Sequence, residues 1–180
     1  WTRTLPPSLR HEALDELGVR RDHPHLAAAV SADAFLTMGL PDDAKAALND
    51  APDWSNLPSG QQAVLNLLRA RILAAEGDHD DATELFLSAL EDGEDTRIRS
   101  EAALRGATLL LARARARDAA QMLQPFQNVP PLAYLYGCAL YGAGEAERAA
   151  AVFSGLAPEA GRYGDLRLLL FALDASAAAM

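Results

Sequence analysis

The sequence predicts an all-α chain of stacked antiparallel helix pairs, about four of them, with one helix ahead and a capping helix behind. Two observations predict it. A short pattern recurs: an apolar run holding one small residue, a tight turn, then a second run anchored by Ala. The turn and anchor residues are Gly39/Ala44, Gly77/Ala82, Ala114/Ala119 and Gly144/Ala149, with the turns 38, 37 and 30 residues apart. Periods of this size mark arrays of helix pairs, because one pair cannot bury its apolar face alone. The composition agrees: 50% of residues are hydrophobic but only 6% aromatic. The core must then be built from Ala and Leu, which favour helix and close helix approach.

Residues 1–24 stand apart as an N-terminal helix and connector. Pro6-Pro7 opens a short helix over 7–17 that Gly18 ends, and 19–25 (VRRDHPH) reads as a polar connector. Four repeats follow within 25–158, at 25–52, 61–95, 98–126 and 131–158. The first has helix A over 25–38 and helix B over 41–49, with Pro41 in the first turn of B. Asp50-Ala51-Pro52 stops it, since the residue before proline resists the α region. A loop over 53–60 leads to the second pair, helix A over 61–76 and helix B over 79–91. Asp78 is its expected N-cap, and Asp80 and Asp81 suit the positive end of the helix dipole. After an acidic loop, Glu91 to Asp95, the third pair takes 98–113 and 118–124, where Pro125 interrupts. The segment 128–131 (NVPP) separates the fourth pair, 132–141 and 146–155. Ala157-Pro158 and Gly161 are expected to break the chain before a last helix over 163–179. Residues 159–180 thus read as a capping helix or a partial fifth repeat.

Aligned on the turn, the repeats share one logic. Seven residues before it stands a small residue (Ala32, Ala70, Ala107, Gly137), and three residues later a large one (Phe35, Leu73, Leu110, Leu140). After the turn and its Ala anchor, four residues on, come Leu48, Phe86, Leu123 and Phe153. Small residues let two helices cross closely while large ones fill the space beside them. This pattern resembles the tetratricopeptide repeat family over about residues 25–157, most strongly in the second and fourth units. The resemblance implies a right-handed α-solenoid. The chain departs from the family at the large residue expected early in helix A, replaced by Ala28, Asn66, Ala103 and Ala133. Glu94 stands where a proline usually closes the second repeat. Related helical-hairpin repeats therefore stay open as an alternative.

The resemblance further implies a concave face lined by helix A. The positions that would face it are Ala29, Asp33 and Leu36; Leu67, Arg71 and Ala74; Leu104, Thr108 and Leu111; Tyr134, Cys138 and Tyr141. Arg71 and Arg105 could meet a carboxylate. Some family members clamp a chaperone tail with Lys and Asn early in the first unit. Here Ala29 and Asp33 stand there, which excludes that role. The mostly apolar and aromatic lining suits an amphipathic helix or an extended apolar segment of a protein partner. The competing reading is that the chain's own last helix, with Leu168 to Phe171, fills the groove.

Charge and chemistry narrow the function. A net charge of −9 argues against nucleic acid and against an anionic membrane surface. No run reaches the roughly 18 apolar residues of a membrane span, so no membrane insertion of this segment is expected. Lys45 is the single lysine, and with the Ala and Leu richness this points to a GC-rich bacterial genome. The chain begins at Trp1 rather than Met and reads as an excised domain or a processed product. A targeting segment could precede it, so cytoplasm and periplasm both stay open. Cys138 is the one cysteine, which rules out an intrachain disulfide; on an apolar helix it reads as a buried small residue.

No metal or cofactor is expected. Asp22, His23 and His25 offer too few converging ligands, and His11 opens HEALD, where Asp15 replaces the second histidine of a zincin motif. Gly142 and Gly144 form a helix-pair turn rather than a nucleotide loop, since Glu147 replaces the third glycine and no strand precedes. Arg113, Arg115 and Arg117 read first as a solvated turn and second as a docking point for an acidic partner. With Glu91 to Asp95 opposite in sign, head-to-tail self-association is a further expectation. No catalytic constellation emerges. The expected function is a non-enzymatic protein-interaction scaffold or adaptor in assembly of a bacterial envelope, secretion, pilus or motility complex. The alternative is a regulatory module attached to a catalytic or DNA-binding domain elsewhere in a longer protein.

Overall fold

The computed structural model describes residues 6, 9, 19–51, 54 and 56–162. The expected helix over 7–17, the last helix over 163–179 and its Leu168–Phe171 stretch lie outside them. Every regular element among the described residues is helical, with no strand. The chain divides into two compact units, Trp1–Arg99 and Ser100–Met180.

The first unit contains α1 (Val19–Asp22), α2 (Pro24–Thr37), α3 (Pro41–Asn49), α4 (Ser59–Glu76) and α5 (His79–Asp92). Within it α2 packs on α3, α4 packs on α5, and both α2 and α3 pack on α4. The shared core is Ala32, Ala44, Ala47, Leu48, Leu65, Leu68 and Ile72, with Phe35, Trp54 and Leu57 around it. Along α4 and α5, Ala70 and Ala82 are completely buried and Phe86 nearly so. Burying a Phe of this kind contributes about 2–3 kcal/mol.

The boundary between units falls in the first turn of α6 (Thr96–Ala112). The second unit continues with α7 (Ala116–Leu123), a 3-10 turn (Gln124–Phe126), α8 (Pro130–Gly142) and α9 (Ala146–Arg162). Here α8 packs on both α7 and α9. Ala107, Ala119 and Ala149 are completely buried, with Leu110, Leu123, Leu140 and Phe153 nearly so. At Gly137 a Cβ would lie only 2.7 Å from Cζ and 2.9 Å from Cδ1 of Phe153, so this smallest residue seats that ring.

The four turns are one structure built four times. The turn residues Gly39, Gly77, Ala114 and Gly144 all have positive φ, at 75°, 96°, 58° and 85°. In each, the next amide donates back to the carbonyl of the large residue five positions earlier: Leu40 to Phe35 (2.9 Å), Asp78 to Leu73 (2.9 Å), Arg115 to Leu110 (2.8 Å) and Glu145 to Leu140 (2.9 Å). This is the Schellman closure of a helix C-terminus. The carbonyl of that next residue then receives the amide of the Ala anchor: Ala44, Ala82, Ala119 and Ala149, at 3.0–3.1 Å.

Several boundaries differ from the sequence expectation, each for a local reason. Asp78 sits at the N-cap of α5 but makes no side-chain capping bond. The closure already fixes the backbone there, with φ, ψ near −82°, 68°, much like Leu40 (−113°, 73°) and Arg115 (−91°, 55°). The residue type at this position is therefore unconstrained by capping. Helix α4 starts at Ser59 and α8 at Pro130, each two residues early, because a first turn needs no amide partners. The connector over 19–25 holds a helical turn, α1, and α2 begins at Pro24. The expected break at Ala157-Pro158 does not occur, since α9 runs to Arg162. Pro158 removes one amide donor from the helix without ending it.

Candidate partner-binding surfaces

In the first unit the helix-A positions turn inward on one another. Asp33 on α2 and Arg71 on α4 stand at the same place relative to their turns, six residues before Gly39 and Gly77. Their side chains meet at 2.6 Å, from Arg71 Nη1 to Asp33 Oδ1. The Arg71 side chain is only 8% exposed, against 41% for Asp33. Arg71 was expected to meet a partner's carboxylate, and the carboxylate it meets is the chain's own. Leu67, one turn earlier on α4, is buried and belongs to the core rather than to an open surface. Nearby, Lys45 Nζ on α3 reaches Glu76 Oε1 on α4 at 2.7 Å, and this bond pushes the ammonium above its ordinary value.

The first unit also holds a cavity of about 450 Å³ lined by Pro24, His25, Leu26, Ala29, Trp54 and Val64, with Asp22, His23 and Gln61 among its walls. Trp54 is fixed in it: the indole Nε1–H donates to the Leu48 carbonyl at 3.0 Å, and the His25 ring stands edge-on with centroids 4.7 Å apart at 84°. The sequence places Trp54 in a loop and His25 in a polar connector. The available signal was a tryptophan in a chain with only two, beside an Ala-rich helix.

The second unit presents a more apolar helix-A surface. Leu104 on α6 and Tyr141 on α8 are 42% and 51% exposed, high values for large apolar side chains. Leu111 is half-buried; Thr108 is exposed and its hydroxyl donates to the Leu104 carbonyl at 2.7 Å. Arg105 pairs with Glu101 one turn back, at 2.9 Å and largely in solvent. Tyr134 is half-buried, its ring tilted 49° against Phe153 at 5.7 Å. Cys138 is half-buried rather than buried; burial pushes its thiol up, opposed in part by a hydrogen bond with the Tyr134 side chain. A raised thiol is a poor nucleophile near neutrality.

The charged turns are partly occupied by their own neighbours. Arg115 pairs with Asp118 at 2.7 Å, while Arg113 and Arg117 are exposed. In the acidic loop, Asp92 accepts from Ser88, Glu94 from Ser59, and Asp95 from both the backbone and side chain of Arg97. Charge is divided unevenly: Trp1–Arg99 carries nine basic and eighteen acidic residues, Ser100–Met180 seven and seven. Among the described residues no group of three or more His, Cys, Asp or Glu could hold a metal ion, and no helix is long and apolar enough to cross a membrane. Comparisons with protein-family models, with curated proteins and with solved structures found no match.

Proposed function

We propose that the chain is a non-catalytic adaptor, a tetratricopeptide-like stack of helix pairs whose helix-A faces hold an apolar or amphipathic segment of a protein partner. The observation that carries this reading is the repetition itself. One backbone closure, one left-handed turn residue and one buried Ala anchor recur four times. The Asp33–Arg71 pair adds support, since it joins equivalent positions of the first two helix pairs. Exposed Leu104 and Tyr141 supply apolar area where such a segment would dock. A right-handed stacking of all four pairs belongs to the proposal, as does a role in assembling a bacterial envelope, secretion, pilus or motility complex.

The test is comparative affinity capture. Wild-type protein is set against Leu104→Ser/Tyr141→Ser and against Gln121→Ser, an exposed position on α7 outside the helix-A faces. A protein retained by wild type and Gln121→Ser but lost from the double variant supports the adaptor reading. Identical capture by all three refutes the proposed face.

A further inference from the structure

The cavity against Trp54 combines an anchored aromatic wall, an apolar floor and a carboxylate. We propose that it binds a basic side chain of the partner, an arginine guanidinium above all, held between the Trp54 ring and the Asp22 carboxylate. Its volume of about 450 Å³ lies within the roughly 300–1,000 Å³ of ligand sites. The Trp54 ring is held by its bond to Leu48 and by the near-perpendicular ring of His25, so little ordering is left to do on binding. A guanidinium is weakly hydrated and stacks on aromatic faces, whereas an ammonium is a compact, strongly hydrated charge. The aliphatic stem would lie along Pro24, Leu26, Ala29 and Val64, leaving the charge near the polar walls. Asp22 Oδ1 does pair with Arg21 at 3.1 Å, but that contact joins exposed chain neighbours and competes weakly. Charge favours the same ligand, since this unit carries eighteen acidic residues against nine basic ones.

The inference rests on the adaptor reading for its biological meaning, yet the pocket is testable alone. Trp1→Phe leaves Trp54 as the only tryptophan. Its fluorescence is titrated with the capped tripeptide Gly-Arg-Gly and with the citrulline analogue, which keeps the shape and removes the charge. A saturable change is expected with the arginine peptide, about tenfold tighter than with citrulline. Asp22→Asn should reduce that preference, while Asp42→Asn, an exposed carboxylate on α3, should keep it. No saturable change, equal affinity for the two peptides, or a preference untouched by Asp22→Asn would each overturn the proposal. Any of these leaves the adaptor reading standing, because that reading is tested at Leu104 and Tyr141.

Discussion

Ala114 is the one non-glycine with positive φ among the described residues, at 58°, where the three sister turns use glycine. An L-residue held in the left-handed region suffers a Cβ–carbonyl clash of about 1–2 kcal/mol. Ala114→Gly removes it, but the unfolded chain gains freedom that offsets about 0.4–1 kcal/mol. The net expectation is stabilisation of about 0.5–1 kcal/mol. The mirror experiment is Gly144→Ala in the same unit, where the turn has φ 85° and a new Cβ would meet no atom within 4 Å. With steric contact removed from consideration, it should lose about the same 0.5–1 kcal/mol. The assay is urea unfolding followed by circular dichroism. The midpoint should rise for Ala114→Gly and fall for Gly144→Ala, with the slope unchanged and the double variant near wild type. In a thermal scan the shift would be about 2–4 °C per kcal/mol for a chain of this size. A lower midpoint for Ala114→Gly, together with a neutral Gly144→Ala, would refute the claim that all four turns hold the left-handed conformation.

Gly137→Ala pushes a methyl into the buried Phe153 ring and should cost about 1–3 kcal/mol by overpacking; adding Phe153→Leu, which copies the Ala107/Leu123 pairing of the preceding repeat, should recover part of it in the same urea assay. Asp33→Ala strands the poorly exposed Arg71 guanidinium and should cost about 1–2 kcal/mol, reduced because Asp33 is itself substantially exposed; Asp33→Leu/Arg71→Met should sit closer to wild type than Asp33→Ala, and the reverse ranking would deny the pair its role. Cys138 should react with iodoacetamide more slowly than free cysteine at pH 8 and accelerate as pH rises through its raised value, read by mass spectrometry; equal rates would contradict its burial. Lys45, whose value is raised by Glu76, contributes its pairing fully below the ordinary lysine range and loses it as pH climbs through the raised value, so Lys45→Met should remove that alkaline loss from the pH dependence of stability.

The helix pairs were legible because their signals are local. Pro41, His79 and Ala146 open their helices where the sequence places them, and the turns fall at the glycines and at Ala114. Exposure was less legible, because the small-residue register marks where helices cross and says little about what else crosses there. The resemblance assigns Leu67 and Arg71 to an open face, yet the first is buried and a neighbouring carboxylate takes the second. Only tertiary placement decides whether an arginine waits for a ligand or already has one. Asp78 illustrates the opposite case: its capping was expected from residue type, but the backbone closure had already set the geometry that a cap would otherwise set. The cavity at Trp54 is assembled from residues on α1, α2, the loop between α3 and α4, and α4 itself, so no single stretch announces it.

The equivalent positions six residues before each turn differ between the two units in what they leave exposed. In the first unit they are Asp33 and Arg71, which satisfy each other and remove two charges from recognition. What that unit still offers is the Trp54 cavity and an excess of carboxylates, features that favour a cation. In the second unit the same positions are Thr108 and Cys138, short side chains that compete little with a ligand, flanked by exposed Leu104 and Tyr141. That unit has no net charge and favours an apolar stripe. Under the adaptor reading, the first unit by itself selects for arginine and the second by itself for an apolar helix face. Hydrophobic contact should then govern how slowly a segment leaves the second unit, while charge governs how fast one reaches the first and how strongly salt slows that arrival.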